Sequence, residues 1–225
     1  MRVHPERDEL REYLGDAYDE DRLRGYATLV DEELARVGDE QRLYRVSEAY
    51  LYDLTAFAMT GTKDPYRAWI PPPPLKLLDL GCGIGSDGLR LLELGHDVTF
   101  ADFDNPSTRY LRWRLERRGL SAPVVDLDQG WPAGPFDLAY AFDVLEHVED
   151  PFATLRAMEE RSRLVLVNLL EGAEPGGIHA RELPVAALLE HVSARGLLRH
   201  EVFHGRSHLV LYEPGRTGPP RTAGA

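Results

Sequence analysis

Residues 77–88, LLDLGCGIGSDG, decide the fold of this chain. A short apolar run is followed by Gly81, Gly83 and Gly85 in alternation, and Gly88 then opens a helix-like segment. Three glycines in five residues weaken both strand and helix, but they let a ligand approach the backbone and its N–H groups closely. The stretch therefore predicts a strand, a ligand-binding turn and a helix; the alternative is an ordinary, tightly packed turn.

Short apolar runs and helix-like segments alternate after this turn. Strands are predicted at residues 75–80, 98–101, 124–125, 136–142 and 164–169, and helices at 89–94, 110–118, 151–161 and 185–195. Repeated strand–helix units predict a parallel sheet covered on both faces. Residues 199–203 and 208–212, which flank Gly205, predict a hairpin-like pair at the sheet edge.

The segment before the turn has a different pattern. Between residues 6 and 57 it is rich in Glu, Arg and Leu, and apolar side chains recur at helical spacing at Leu43, Val46, Tyr50, Leu54 and Phe57. The prolines at residues 71–74 cannot continue a helix. We therefore expect a helical cap over residues 1–70, a main domain over 71–213 and a frayed tail over 214–225.

Charge and cysteine content exclude several classes of protein. The 225 residues include 38 acidic and 26 basic side chains, and the net charge of −12 repels phosphate backbones, so no nucleic-acid partner is expected. Cys82 is the single cysteine, which rules out an internal disulfide or a multi-cysteine metal site. Without a signal peptide or an apolar run of ~20 residues, the sequence predicts a cytoplasmic protein that does not enter a membrane. No metal is expected either.

Two carboxylates beside the glycines narrow the choice of ligand. Asp79 lies two residues before Gly81, where it would repel a pyrophosphate and attract a ligand that carries an ammonium and a sulfonium. Asp102 follows about twenty residues after the glycines, the spacing at which an acid reaches ribose hydroxyls. Because Asp102 suits any adenosine ligand, and Gly83, Gly85 and Gly88 fit the dinucleotide pattern G-x-G-x-x-G, an NAD(P)-dependent oxidoreductase stays open as the alternative.

Four motifs in order resemble the class I S-adenosylmethionine-dependent methyltransferases, particularly the small-molecule branch related to ubiquinone-biosynthesis methyltransferases. They are LLDLGCGIG (77–85), VTFADFD (98–104), VVDLDQGWP (124–132) and FDLAYAFDVLEHVEDP (136–151). The resemblance covers roughly residues 75–212. It implies an α/β, Rossmann-like fold: a mostly parallel seven-stranded sheet with an antiparallel last strand, here preceded by the helical cap.

The resemblance also implies a set of cofactor-binding residues. Around the methionine part and the sulfonium it places Asp79, Gly81, Cys82, Gly83 and Gly85, with Phe142 and Asp143 flanking the methionine tail. It further implies that Asp102 binds the ribose hydroxyls, that Phe103 lies against adenine, and that Asp126, beside the Leu127 backbone, accepts a hydrogen bond from the adenine amine. Asp128 is the alternative to Asp126.

The acceptor side is less defined. Residues 143–146 replace the Asn-Pro-Pro-Tyr type motif of nucleobase and protein-amide methyltransferases, so a small-molecule oxygen or nitrogen acceptor is expected, with S-adenosylhomocysteine as the product. His179, in the glycine-rich loop after the fifth strand, is the first candidate for a general base, and His147 is the second. A non-catalytic protein that only binds the cofactor is a further alternative.

Other polar and aromatic side chains are weaker candidates. His204 and His208, which flank the final turn, are expected at the surface or on the edge strand. Aromatic side chains that could form a lid over the cofactor or a planar substrate are Tyr44, Tyr50, Tyr52, Tyr66 and Trp69.

Overall fold

The protein is built around a twisted sheet that the predicted strands form. A computed structural model describes residues 4–172 and 182–215, and within them seven strands pair in the order β3-β2-β1-β4-β5-β7-β6. The strands are β1 (Lys76–Leu80), β2 (Asp97–Asp102), β3 (Val124–Asp126), β4 (Phe136–Ala141), β5 (Ser162–Leu170), β6 (Leu197–Phe203) and β7 (Ser207–Tyr212). Strands β1 to β5 are parallel, and β7 runs antiparallel between β5 and β6. The predicted Rossmann-like sheet with its antiparallel last strand is confirmed.

Helices precede the sheet and connect its strands. The six N-terminal ones are α1 (Pro5–Leu14), α2 (Glu20–Arg24), α3 (Tyr26–Val37), α4 (Glu40–Val46), α5 (Ala49–Thr60) and α6 (Asp64–Arg67). Those that follow are α7 (Ser86–Glu93), α8 (Pro106–Arg117), α9 (Pro151–Glu159) and α10 (Val185–Ser193). None of the helices within the described ranges combines the length and the apolar character needed to cross a membrane.

The side chains of the central strands alternate between two hydrophobic layers. Leu78 and Val165 point into one layer, whereas Leu77 and Leu166 point into the other. All four are fully buried, as expected for parallel strands that are covered on both faces. The strand order reverses between β1 and β4, so the carboxyl ends of these strands and β2 open a crevice at one edge of the sheet.

The N-terminal helices pack onto this edge. Their core, which includes Leu10, Leu51 and Tyr52, also contains Ile84 from the glycine turn and Tyr110 from α8. The cap is therefore in contact with the ligand-binding turn that the sequence predicts.

One expectation for the cap is wrong. The five apolar positions were expected on one helical face, but the chain is extended at Ser47, which separates α4 from α5. The Ser47 hydroxyl accepts the backbone N–H of Tyr50 at 2.9 Å and so begins the second helix. Val46 is left 53% exposed, while Tyr50, Leu54 and Phe57 share the face of α5 that lines the crevice.

Candidate active site

A cavity of about 1330 Å³ lies between the carboxyl ends of β1, β2 and β4 and the N-terminal helices. Its floor is formed by the glycine turn and by the residues that follow β2 and β4. Its roof comes from α3, α4 and α5. The cavity is larger than the 300–1,000 Å³ of ordinary small-ligand pockets, so it has room for two ligands side by side.

The glycine turn is closely packed on its protein side. A Cβ atom on Gly81 would lie 2.6 Å from Val144 Cγ2, and one on Gly85 would lie 2.3 Å from Leu111 Cδ1. Both glycines also have positive φ, of 66° and 74°. Positive φ and close packing both favour glycine at these two positions. Gly81 and Gly83 line the cavity, whereas Gly85 does not.

Asp102 ties the turn to the end of β2. Its Oδ2 accepts the backbone N–H of Gly83 at 2.8 Å, and its Oδ1 accepts its neighbour Phe103's N–H at 2.7 Å. Burial raises the pKa of this carboxyl, although the two N–H groups and the Arg45 guanidinium oppose the shift. Each oxygen can accept a further hydrogen bond, so Asp102 is placed to hold two hydroxyls of a ligand.

Asp79 presents a buried carboxyl that the Tyr140 hydroxyl and the charge of Lys63 compensate only in part. It is 5% exposed, and its Oδ2 has no hydrogen-bond partner among the described residues. Its pKa is raised well above the usual range by burial and then by the charge of Asp87. Cys82 lines the cavity next to it, and burial raises the pKa of its thiol as well. An orphaned carboxylate of this kind is stabilised by a cationic ligand.

A lysine from the cap reaches the segment after β4. Lys63 Nζ donates to the Phe142 carbonyl at 3.1 Å and lies 3.2 Å from Asp143 Oδ2. Asp143 has φ of +56°, a conformation that non-glycine residues rarely adopt. Burial raises the pKa of Asp143, but Lys63 and the Asn168 amide outweigh burial and lower it overall.

Asn168 holds Asp143 in this conformation. Its side chain accepts the Asp143 backbone N–H at 2.7 Å and donates to Asp143 Oδ1 at 2.6 Å. It also donates to Ser207 Oγ, which in turn accepts the Tyr66 hydroxyl. Sequence reasoning missed both Asn168 and Lys63. The available signals were a lone amide inside the apolar strand LVLVNLL and one of only two lysines in an arginine-rich chain.

The third motif, residues 124–132, contributes less to the cavity than the other predicted site residues do. Asp126 Oδ1 accepts the backbone N–H groups of Asp104 and Asp128, and Asp126 does not line the cavity, whereas Leu127 does. Asp128 forms an ion pair with Arg45 of α4. The Arg45 guanidinium also lies 4.0 Å above the ring of Phe103, so the cap closes over the position predicted for adenine.

The predicted histidines lie in different places. His147 lines the cavity, and its Nδ1 lies 2.9 Å from both the Glu40 carboxylate and the Tyr44 hydroxyl of α4. His179 lies outside the described residues, so its role stays a prediction. His204 is exposed at the cavity mouth, and His208 lies on the edge hairpin 3.0 Å from a ring nitrogen of His200.

The five aromatic candidates divide into two groups. Tyr44, Tyr50 and Tyr66 line the cavity. Tyr52 and Trp69 are 1% and 6% exposed and belong to the hydrophobic cores without lining the cavity, whereas Tyr66 belongs to the core and lines the cavity as well.

The cavity is also lined by two carboxyls that sequence reasoning did not select. Glu146 is 3% exposed, and neither of its carboxylate oxygens has a hydrogen-bond partner in the described part of the chain. Burial raises its pKa. Asp53, on α5, has its pKa raised to about 6 by burial and by the charge of Asp31.

Comparison with known proteins identifies the central part of the chain. Residues 78–163 match the family described as "Methyltransferase domain". A ubiquinone biosynthesis O-methyltransferase from Methylocella silvestris is 35% identical over 115 residues, which cover 48% of this chain and 44% of that protein. Glycine N-methyltransferase from Rattus norvegicus is 30% identical over 118 residues, covering 46% and 38%. The chain thus spans less than half of the length of these relatives.

Solved structures share the fold. Magnesium protoporphyrin IX methyltransferase from Synechocystis, determined with bound SAH, has a TM-score of 0.60 at 17% identity and covers 84% of this chain and 99% of that one. An rRNA methylase from Escherichia coli has a TM-score of 0.54 at 17% identity, covering 93% and 82%. The sheet and its helices are therefore arranged as in both structures.

Proposed function

We propose that this chain, a class I S-adenosylmethionine-dependent methyltransferase by its motifs, its domain match at residues 78–163 and its fold, transfers a methyl group from that cofactor to a small-molecule oxygen or nitrogen. S-Adenosylhomocysteine is the second product. The observation that carries the proposal is the bond from the Gly83 backbone to Asp102. It joins the glycine turn to the acid proposed to bind the ribose, on the floor of one cavity.

The residues around the turn suit this cofactor. Asp102 has a free acceptor position on each oxygen for the two ribose hydroxyls. Asp79, buried and partly unpartnered, favours a ligand that carries positive charge. Lys63, held beside Asp143, supplies the complementary cation for the carboxylate of the methionine part. When bound, the cofactor supplies an electrophilic methyl group on a sulfonium.

The chain's own contribution to catalysis is alignment and exclusion of water. Methyl transfer is an in-line displacement, so the acceptor atom must lie behind the methyl group at contact distance. Helix α5 packs against the turn, with Leu54 Cδ1 3.2 Å from the Cβ position of Gly83, and its Tyr50, Leu54 and Phe57 form an apolar and aromatic wall of the cavity. That wall limits the acceptor to molecules that fit under the cap.

A nucleic-acid acceptor is disfavoured by charge. The chain carries a net charge of −12, and four basic side chains that line the cavity are paired with carboxylates. Binding of a polyphosphate chain requires unpaired cations to replace its counterions. We therefore assign a small molecule as the acceptor.

Thermal unfolding of the full chain tests the cofactor. Saturating S-adenosylmethionine, S-adenosylhomocysteine, NAD⁺ and NADP⁺ are compared in parallel. A ligand at ~100 times its dissociation constant adds about 2.7 kcal/mol, which raises the midpoint of a chain of this size by roughly 5–10 °C. A shift with the sulfur nucleosides alone supports the proposal. A shift with the nicotinamide nucleotides alone overturns it in favour of hydride transfer.

A further inference from the structure

The lining of the cavity includes a buried carboxyl whose two oxygens have no hydrogen-bond partner among the described residues. Glu146 lines the cavity after β4, is 3% exposed and leaves both carboxylate oxygens without a hydrogen bond in residues 4–172 and 182–215. A buried carboxyl that lacks donors costs free energy unless a ligand supplies them or the group is protonated. Glu146 therefore favours a ligand that donates hydrogen bonds.

A second carboxyl faces the same space from the cap. Asp53 lines the cavity from α5 and forms no ion pair within the described ranges. The charged groups that act on it are Asp31 from α3, which raises its pKa, and His147 and Lys63, which lower it. Asp31 lines the cavity too and is exposed, so it adds a third acidic side chain to the cavity lining.

Three basic side chains that line the cavity form ion pairs with carboxylates other than Asp53 and Glu146. Lys63 lies against Asp143, and Arg67 forms ion pairs with Asp64 and Asp87. Arg45 is paired with Asp128, which does not line the cavity. None of these three cations forms an ion pair with Asp53 or Glu146, although the charge of Lys63 lowers the pKa of both. Both carboxyls are therefore available to a direct contact with a ligand.

Aromatic rings complete the surroundings of this space. Tyr50 and Phe57 line it from α5, and the Tyr50 and Tyr44 rings are 5.1 Å apart. Lys63 Nζ already lies 5.4 Å from the centre of the Phe57 ring. Carboxylates beside aromatic faces are the combination that stabilises a bound cation.

We propose that the methyl acceptor is a basic amine, bound in its protonated form between Asp53, Glu146 and the ring of Tyr50. This inference rests on the proposed function, because it names the substrate class for that site. The ammonium must lose one proton before it reacts, and a carboxylate of the pair takes that proton. The nitrogen lone pair then forms the new N–CH₃ bond while the S–CH₃ bond breaks, and the bonding electrons stay on sulfur in S-adenosylhomocysteine.

Matched ligands of equal shape test the charge preference. The full chain is saturated with S-adenosylhomocysteine, and binding of ethylamine, benzylamine and phenethylamine is compared by calorimetry at pH 7.5 with ethanol, benzyl alcohol and 2-phenylethanol. We expect at least one amine to bind ten-fold or more tighter than its alcohol. We expect this preference to be lost in both Asp53→Asn and Glu146→Gln and retained in Asp97→Asn, an exposed carboxylate outside the cavity.

The outcomes separate the two proposals. If S-adenosylhomocysteine does not bind, the proposed function fails, and the substrate class fails with it. If it binds but no amine exceeds its alcohol, including the case in which none binds, the amine assignment alone is overturned. Survival of the preference in both Asp53→Asn and Glu146→Gln overturns the assignment equally. Because either variant can be misfolded, each is first shown to bind S-adenosylhomocysteine.

Discussion

The Arg114 guanidinium on α8 donates a 2.6 Å hydrogen bond to the Glu6 carboxylate on α1, and both side chains are buried. The same guanidinium donates at 2.8 Å to the carbonyl of Ile84 in the glycine turn and at 3.0 Å to Ser86 Oγ. Glu6 also accepts the Ser86 hydroxyl. One buried arginine therefore connects the first helix of the chain directly to the turn that forms the cofactor side of the cavity.

Replacing Arg114 by an uncharged residue should lower the stability of the fold. In Arg114→Met, Glu6 and Glu9 lose a buried partner, and breaking a buried pair on one side destabilises a protein by about 3–5 kcal/mol. Arg112→Met is the matched control, because Arg112 on the same helix is 42% exposed and pairs with Asp104, which is 54% exposed; such exposed pairs contribute about 0–1 kcal/mol. Urea unfolding of both variants measures the difference. Equal stabilities would show that α1 is not anchored through Arg114.

Asp53 predicts how stability depends on pH. Its pKa is about 6 in the folded protein, against an ordinary value of 3.8. Between pH 3.8 and pH 6 the folded state therefore keeps a proton on this carboxyl that the unfolded state has lost. Stability from this group is therefore greatest below pH 4 and falls as the pH rises through 6. The carboxyl destabilises the fold by about 1 kcal/mol at pH 4.5 and about 3 kcal/mol at pH 7.5.

The Asp53→Asn variant removes this dependence. Between pH 4.5 and pH 7.5 we expect the variant to gain about 2 kcal/mol over the unmodified protein. The free energy of unfolding is measured by urea titration at both pH values, without ligand. Asp97→Asn controls for the loss of one negative charge and should show no such gain. A pH-independent difference for Asp53→Asn would mean that the carboxyl titrates normally.

The sheet could be predicted because its signals are local. The run 77–80 before the glycines, and the apolar strands beyond, are buried on both faces and so read as short hydrophobic segments. Asp102 and Asp79 could also be predicted from the sequence, since the strand–turn pattern fixes them at the carboxyl ends of their strands. Periodicity alone could not reveal the break at Ser47, where a side chain bonds to the backbone rather than continuing the apolar pattern.

The other half of the site depends on contacts between distant residues. Lys63 and Asp143 are separated by 80 positions in the chain, and only the folded cap brings them within 3.2 Å. Glu146 is important because its carboxylate oxygens lack a hydrogen-bond partner in the described part of the chain, and no sequence motif predicts that property. Asp126 is predicted from the resemblance to recognise adenine, and in the structure its Oδ1 accepts two backbone N–H groups of the turn.

Asp102 gives a direct test of the ribose contact. In Asp102→Asn one acceptor oxygen becomes an amide donor, which cannot accept the Gly83 N–H and a hydroxyl together. Loss of hydrogen bonds to a charged acceptor costs about 1.5–3 kcal/mol, so S-adenosylhomocysteine affinity should fall roughly 10- to 150-fold. Asp104→Asn, two residues later and exposed, should keep its affinity. Unchanged binding in Asp102→Asn, measured by calorimetry, would remove this contact from the proposal.

Glycine at position 85 has two possible causes, its positive φ and the lack of space for a Cβ atom, and they can be measured separately. Its φ of +74° alone disfavours other residues, and a Cβ would also lie 2.3 Å from Leu111 Cδ1. Gly119 has a similar φ of +64° but nothing within 4 Å of its Cβ position. Replacing Gly119 by Ala therefore measures the backbone cost alone, about 1–2 kcal/mol.

Gly85→Ala should be more destabilising than Gly119→Ala, because overpacking adds about 1–3 kcal/mol to the backbone cost. Leu111→Ala removes the three atoms nearest to the new Cβ, so the double variant Gly85→Ala/Leu111→Ala should lose less than the sum of the single variants. Chemical unfolding of the four proteins in this cycle gives the coupling energy. If the two changes are additive, then Leu111 does not determine the residue at Gly85, and close approach of a ligand becomes the better explanation for that glycine.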